Sequence, residues 1–375
     1  MLIVFASNFL NHHQLPLSIA FLNTPNIEYK FLAFEKIPDT RVQMGYEDMN
    51  SKYDFVIKVY ESKNNYNEAI ELIKKADIFI NGYTDKLTKI RLKAKKRVYR
   101  FSERYYKVYN KKGFKYSNFY FFLSSLKHVL PYKNKEVVYL AASSYLKNDL
   151  NKFYKINNPV LKWGYFPKHI EIAKDNIKGS NRDNIIRLIF VGRLLKWKHP
   201  EMAIYALNAL PYEYRVNTKL TIVGNGELSD KLNNLVEKLQ LTENVSFISS
   251  LSANDVRKKM IESDISFFTS DLSEGWGAVL NEEMDSKCAC IASIEAGSTN
   301  FLIQNGFNGI ICSCCNQNEV NNILLKLIED KKLRTALQNN AYLTIKNDFN
   351  GEIAAKRLIE YDKGSIFEEG ICSKL

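Results

Sequence analysis

The chain has 375 residues, too many for one hydrophobic core and enough for two α/β domains of ordinary size. Hydrophobic residues make up 46% of it, which excludes a disordered chain, and no apolar run reaches the roughly 18–20 residues that span a bilayer. The net charge of +12 is uneven: Lys86–Lys135 holds sixteen Lys or Arg against one acid, Glu103, so this window nets +15 and the remainder is slightly acidic.

The opening MLIVFAS has no basic leader and no small-residue cleavage site, so it reads as a first strand, Leu2–Ala6, of a cytoplasmic protein rather than as a signal peptide. A polar turn, Ser7–Gln14, and a helix through Leu22 follow. Tyr29–Phe34, Ile78–Asn81, Arg97–Phe101 and Val137–Ala142 read as further buried strands, with helices predicted over Glu68–Lys75 and Ser144–Tyr154. Val160–Phe166 reads as the last strand of this half, and the polar stretch Lys174–Asn184 as a linker. A second series begins at Ile185. Strands are predicted at Ile186–Val191, Leu220–Val223, Val245–Phe247, Ile265–Phe268 and Ala289–Ser293. They alternate with helices at Pro200–Leu210, Ser229–Leu239, Ala253–Ser263 and 278–286, and Asn316–Asp330, Leu333–Asn347 and Glu352–Tyr361 are helical too. Such alternation predicts a parallel, doubly wound sheet in each half. Residues 1–167 and 185–348 are then two domains, and 349–375 is a terminal helix and tail. The six cysteines, Cys288, Cys290, Cys312, Cys314, Cys315 and Cys372, lack the paired C-x2-C spacing of a zinc site and read as reduced thiols in or beside strands.

Three strand-to-helix turns of the second half look specialised. In the first, Val191-Gly192-Arg193-Leu194 ends a strand and Lys198 follows five residues after Arg193. Two cations at the carboxyl end of a sheet suit a diphosphate, although a charged surface loop would show the same pair. In the second, Val223-Gly224-Asn225-Gly226 is either a close-approach turn for a ligand or an ordinary tight turn. The third, Ser270–Glu283 (SDLSEGWGAVLNEE), carries Glu274 in a turn with Gly275, Trp276 and Gly277, and Glu282 one turn into the following helix. Two carboxylates placed so can accept hydrogen bonds from vicinal diols, which sugars and riboses both offer.

In combination these residues resemble the family-4 retaining glycosyltransferases of GT-B fold, over roughly 185–361. Glu274 and Glu282 fit the E-x7-E signature of that family, Arg193 and Lys198 fit its donor-diphosphate pair, and EGWGAVLNE sits at its glycine-rich sugar-binding turn. The resemblance implies two Rossmann-like domains facing across a cleft, a donor held by the second and an acceptor by the first, and a last helix crossing back to the first. It implies that Glu274 contacts the transferred sugar and Glu282 the ribose diol. The donor, a UDP- or GDP-linked sugar, would be met by Gly192, Arg193, Lys198, Gly224, Gly275, Trp276 and Gly277, with Ile248 and Ser249 at the base. It further implies transfer of a hexosyl or N-acetylhexosaminyl group with retention, without cofactor or metal, and no D-x-D occurs in the chain. Two departures stand out: Glu283 replaces the small residue usual after the second Glu, and the Cys312–Cys315 patch replaces a Pro/Gly-rich loop.

The first half is similar, more loosely, to the acceptor domain of transferases that build capsules and surface polysaccharides. There Asn11, His12 and His13 lie in the turn after the first strand, and Glu103 and Arg104 follow another strand at the same face. By this resemblance they meet a saccharide or lipid-linked acceptor, with His13 a candidate catalytic group. A plain polar turn and a structural salt bridge remain open for these residues. The basic window interleaves its cations with Tyr105, Tyr106, Tyr109, Phe114, Tyr116, Phe119, Tyr120, Phe121 and Phe122. That pattern suits an anionic bilayer on the inner face of the cytoplasmic membrane, and single-stranded nucleic acid as well. Two other functions fit part of the pattern: a sugar-nucleotide epimerase of GT-B fold, and a basic nucleic-acid-binding protein.

Overall fold

The computed structural model describes residues 1–38, 47–106, 118–172 and 184–375. They form two compact units, residues 1–168 with 349–375, and residues 169–348. The linker expected at Lys174–Asn184 lies outside the described residues except for Asn184.

The first unit is built on seven parallel strands: β1 (Leu2–Ser7), β2 (Glu28–Ala33), β3 (Val56–Lys58), β4 (Ile78–Asn81), β5 (Val98–Ser102), β6 (Val137–Ala141) and β7 (Val160–Lys162), in the order β3-β2-β1-β4-β5-β6-β7. Its central strands are continuous apolar runs because helices cover both faces of a parallel sheet. Ile3, Val4, Phe5 and Ala6 of β1 and all of Ile78–Asn81 are buried. Helices span Leu15–Leu22, Lys63–Lys75, Asp85–Lys93 and Asn118–His128, and each end has a local cause where it is capped. The Ser62 hydroxyl accepts from the Asn65 N–H at the start of Lys63–Lys75. At the end of that helix the buried Arg91 guanidinium donates to the carbonyls of Ile73 and Ala76, both at 2.9 Å. The helix Gly351–Asp362 belongs to this unit and packs on Leu15–Leu22. A Cβ at Gly351 would lie 2.8 Å from the Leu17 nitrogen, so glycine permits the two backbones to touch. The tail then pairs with the edge of β7, where the Cys372 N–H donates to the Lys162 carbonyl.

The second unit has six parallel strands: β8 (Ile186–Val191), β9 (Thr218–Val223), β10 (Val245–Ile248), β11 (Ile265–Phe268), β12 (Ala289–Ser293) and β13 (Ile310–Cys312), in the order β10-β9-β8-β11-β12-β13. Leu188, Phe190, Leu220, Ile222, Ile265, Phe267 and Ile291 form its core with Ala203, Leu207, Leu324 and Leu327 from the covering helices. In each unit the chain winds outward from the first strand, returns, and continues on the other side. The reversal lies between β1 and β4 in the first unit and between β8 and β11 in the second. Ligands of open α/β sheets bind beyond the carboxyl ends of the strands at such a reversal.

Several expectations shift by a few residues, and β3, β13 and the helices Asp85–Lys93 and Asn118–His128 are among the elements that the sequence did not lead one to expect. The expected strand Val160–Phe166 ends at Lys162, and the expected helix Ser144–Tyr154 shrinks to Leu146–Asn151. The basic window is also less external than its sequence suggests. Arg91 is spent on carbonyls, and buried Arg100 and Arg104 pair with Asp85 at 2.5 Å and Asp149 at 3.0 Å.

Candidate functional site

At the reversal of the second unit, the segment after β8 meets the segment after β11. Gly192 follows β8, and its N–H donates to the Val223 carbonyl at 3.0 Å. Gly224, just beyond β9, has φ +139, and a Cβ there would lie 2.0 Å from the Gly192 carbonyl oxygen. No other residue fits, so the two strand ends come together only because this position is glycine. The chain then passes Arg193, which is exposed, to a turn of 3₁₀ helix, Lys196–Lys198. The Thr269 hydroxyl, just beyond β11, donates to the carbonyls of Lys198 and His199 at 2.9 and 3.0 Å and holds this turn against β11.

The Lys198 ammonium is thereby placed 2.5 Å from the Glu274 carboxylate, an ion pair between residues 76 positions apart. The Ser270 hydroxyl donates to the same carboxylate oxygen at 3.1 Å. Asp271 organises the turn, accepting from the Ser273 N–H through its side chain at 2.7 Å and from the Glu274 N–H through its carbonyl at 3.0 Å. Gly277 closes it with φ +85, where a Cβ would stand 2.2 Å from the Phe268 ring. Side chains of Lys198 and Glu274 keep only 11% and 12% of their surface in contact with solvent, so water screens the pair weakly.

Trp276 is core: it is buried and its indole N–H donates to Asn281 at 2.8 Å. Gly275 is buried beside it, while Ile248 and Ser249 stand at the carboxyl end of β10, half-buried and exposed. Glu282, in the helix Val279–Asp285, is half-buried, and desolvation, opposed by Arg257 and reinforced by Asp285, pushes its carboxyl up to about 7. Glu283 is fully buried, and neither carboxyl oxygen has a hydrogen-bond partner. The Ser266 hydroxyl of β11 lies beside it without reaching hydrogen-bonding geometry. Burial, and then the neighbouring Glu282 charge, holds the Glu283 carboxyl well above the ordinary carboxylate range.

The reversal of the first unit opens into a cavity of about 750 Å³, within the range of ligand sites. Its wall draws on the turn after β1 (Ser7, Asn8, Asn11, Gln14), the end of β4 (Asn81, Tyr83), the end of β5 (Arg100, Glu103, Arg104, Tyr105), and on His128 and Tyr165. Asn11, Glu103 and Arg104 of the expected acceptor set are therefore in the wall. Arg104 is committed to Asp149, and Glu103 accepts from the Tyr165 hydroxyl at 3.1 Å. The His12 and His13 rings touch at a tilt of 48° with centroids 3.7 Å apart, and the His13 ring stands edge-on to Tyr165. The Gln14 amide donates to the Ser7 hydroxyl at 3.3 Å, while its buried carbonyl oxygen has no hydrogen-bond partner. At the floor, Asp85 joins Arg100 and His128, the latter at 2.6 Å. Sequence reasoning gave no role to Asn81 or His128, and none of their own to Gln14, which it placed in the polar turn Ser7–Gln14, or to Tyr105, which it placed among the aromatics of the basic window. The places of Gln14 in the turn after a strand and of Asn81 at a strand end were signals, since residues just beyond parallel strands face this region.

Residues 172–344, a little under half of the chain, match the family model described as glycosyl transferases group 1. The chain is similar to the uncharacterized glycosyltransferase MJ1069 of Methanocaldococcus jannaschii, at 32% identity over 211 residues, 56% of this chain and 52% of that one. It is also similar to the N-acetylgalactosamine-N,N'-diacetylbacillosaminyl-diphospho-undecaprenol 4-alpha-N-acetylgalactosaminyltransferase of Campylobacter jejuni, at 29% identity over 217 residues, 54% of this chain and 57% of that one. The chain spans about half the length of the curated relatives it matches. Among solved structures, Anabaena Alr3699/HepE in complex with UDP superposes with a TM-score of 0.70 over 97% of this chain and 100% of that one, at 15% identity. That likeness is one of fold: two parallel-sheet α/β domains of the GT-B class.

Proposed function

We propose that the chain is a retaining glycosyltransferase that moves a hexosyl or N-acetylhexosaminyl group from a nucleotide sugar to a saccharide or lipid-linked acceptor in surface-polysaccharide assembly. The observation that carries this reading is the Lys198–Glu274–Ser270 cluster. It stands at the strand reversal of the second unit, inside the segment that matches group 1. A related fold holds UDP, which supports a UDP-linked donor, and the Campylobacter relative is named for a diphospho-undecaprenol acceptor, which supports a lipid-linked one.

The cluster suggests how binding is coupled to catalysis. Without donor, Lys198 and Glu274 neutralise each other. An incoming diphosphate competes for the Lys198 ammonium, with Arg193 as second cation, and releases the Glu274 carboxylate to accept hydroxyls of the transferred sugar. Glu282 then holds the ribose diol. As the glycosidic bond breaks, negative charge gathers on the departing phosphate, where Lys198 and Arg193 stabilise it. The same phosphate oxygen takes the acceptor proton while the acceptor oxygen attacks from the same face, so configuration is retained. The acceptor sits in the cavity of the first unit, whose carboxylate, amide and phenol groups suit a polyhydroxylated ligand. Positive charge from Lys198 and Arg193 takes the place of a divalent cation.

The test is a screen of nucleotide sugars for binding and slow hydrolysis, followed by Glu274→Gln. That change keeps the shape and removes the charge that Lys198 sees. Turnover should fall about a hundredfold, close to 2.7 kcal/mol of transition-state stabilisation, with the fold unchanged. A Glu274→Gln enzyme that turns over at the normal rate refutes the assignment.

A further inference from the structure

The cysteines of the second unit have no part in the proposed transfer, yet two of them touch. The Cys314 and Cys315 sulfurs lie 3.5 Å apart, just beyond β13. Of the six cysteines only Cys315 is exposed. Cys314 beside it is buried. Burial, then the Cys315 thiol and the Glu295 and Asp271 carboxylates, hold the Cys314 thiol well above its ordinary value. An exposed sulfur that can meet an oxidant, with a protected sulfur in contact, is the arrangement of a thiol that is oxidised and then resolved.

The pair is bonded into the frame of the Glu274 turn. The Glu295 carboxylate accepts from the Cys314 N–H at 3.1 Å and from the Ser313 hydroxyl at 3.0 Å, and the Cys315 N–H donates to that hydroxyl at 3.4 Å. Two residues before Glu295, Ser293 ends β12, and its hydroxyl donates to the Ser270 carbonyl. The Ser270 hydroxyl in turn donates to Glu274 at 3.1 Å. A continuous line of bonds therefore joins Cys314 to Glu274 through Glu295, Ser293 and Ser270, all within the second unit.

We propose that Cys314 and Cys315 are a peroxide-sensitive dithiol whose closure to a disulfide loosens the Glu274 turn. The Cys315 thiolate attacks one oxygen of hydrogen peroxide. The O–O bond breaks, Cys315 becomes a sulfenic acid, and the other oxygen leaves as water. The Cys314 sulfur then attacks the Cys315 sulfur. The S–O bond breaks, the S–S bond forms, and the Cys314 proton leaves with the hydroxyl as a second water. Two thiols lose two electrons, and one peroxide is reduced to two waters. The sulfurs close from 3.5 Å to about 2.05 Å. Adjacent α-carbons stand about 3.8 Å apart, short of the roughly 4.4–6.8 Å usual across a disulfide, so the backbone of the pair has to turn. That turn pulls on the N–H bonds to Glu295 and Ser313. A bond strained in this way is readily reduced, which suits a reversible switch. The switch goes beyond the transferase reading and does not rest on it, because sulfur chemistry and backbone exchange are both read without a sugar nucleotide.

The experiment is treatment of the full chain with a small excess of hydrogen peroxide, followed by peptide mass and amide hydrogen exchange. The peptide that carries Cys314 and Cys315 should lose two hydrogens, and an alkylating reagent should find neither thiol. Amides of Ser270–Gly277 should exchange about tenfold faster in the oxidised protein and return to the starting rate after a dithiol reductant. Cys315→Ser, at an exposed position, should keep the fold and keep the slow exchange in peroxide. Cys314→Ala should stop at the Cys315 sulfenic acid, which dimedone traps. Three results overturn the proposal: a Cys314 thiol left intact by peroxide, an oxidised pair with Ser270–Gly277 exchanging as before, or faster exchange in peroxide-treated Cys315→Ser as well. UDP binding by the reduced protein is measured alongside. Its absence counts against the transferase reading and leaves the exchange result standing, so the two failures are distinct.

Discussion

Replacing Glu283 by Gln should change how stability depends on pH, in a direction set by the burial of its carboxyl. The Glu283 carboxyl is fully buried, without a hydrogen-bond partner, and is held well above the ordinary range by desolvation and by the adjacent Glu282. In the unfolded chain it titrates at an ordinary value near 4.5. Between that value and its raised folded value, the folded state binds one more proton than the unfolded state. Stability therefore falls as pH rises through this window, and below the ordinary range the group contributes nothing. Between pH 5 and 7 the wild-type protein should therefore lose stability relative to Glu283→Gln, with a slope of at most about 1.4 kcal/mol per pH unit. The glutamine never ionises, and any constant cost of its amide cancels when slopes are compared. Denaturant unfolding at several pH values measures it, followed by tryptophan fluorescence, since Trp197 and Trp276 both report on the second unit. Parallel stability curves for the two proteins would refute the reasoning, because they would mean that the carboxyl is solvated or paired in the folded state.

Arg193→Ala should weaken nucleoside-diphosphate binding by roughly 1.5–3 kcal/mol, the scale of a charge-assisted hydrogen bond, with little change in stability because the side chain is exposed; calorimetry decides it. Donor affinity should rise with pH through about 7, because the desolvated Glu282 must lose its proton before both oxygens can accept from a diol; Glu282→Gln should remove that pH dependence from the donor KM. Turnover should persist in excess chelator, and complete loss restored by manganese would mean that the diphosphate is held by a metal rather than by Lys198 and Arg193.

Much of the chain was legible without coordinates, for physical reasons that differ by element. Strands such as Ile186–Val191 and Ile265–Phe268 announce themselves because a parallel strand covered on both faces is mostly apolar, with Arg187 and Ser266 the single polar residues of these two. The turn around Glu274 was legible through its glycines, and Gly277 indeed occupies a backbone region closed to other residues by the Phe268 ring. The three-residue strands β3 and β13 were not legible, since so short a run has no period. The helix Asn118–His128 was hidden by its aromatics, which occur on its buried and exposed sides alike.

What only tertiary structure decided is which side chains meet. Sequence separation says nothing about contact once the chain folds back, so the Lys198–Glu274 pair and its Ser270 partner needed the sheet order that lays β8 against β11. The cavity of the first unit gathers Gln14, Asn81, Tyr105 and His128 from four separate segments, and nothing in their spacing shows that they converge. Burial overruled residue type as well. Arg91 and Trp276 look like ligand groups by chemistry but serve the core, and Glu283 looks like a surface acid but is sealed inside. Composition and periodicity determined that there would be two wound sheets with their loops at the strand ends. Packing determined which of those loop residues keep a charge, or a hydrogen-bonding oxygen, free for a ligand.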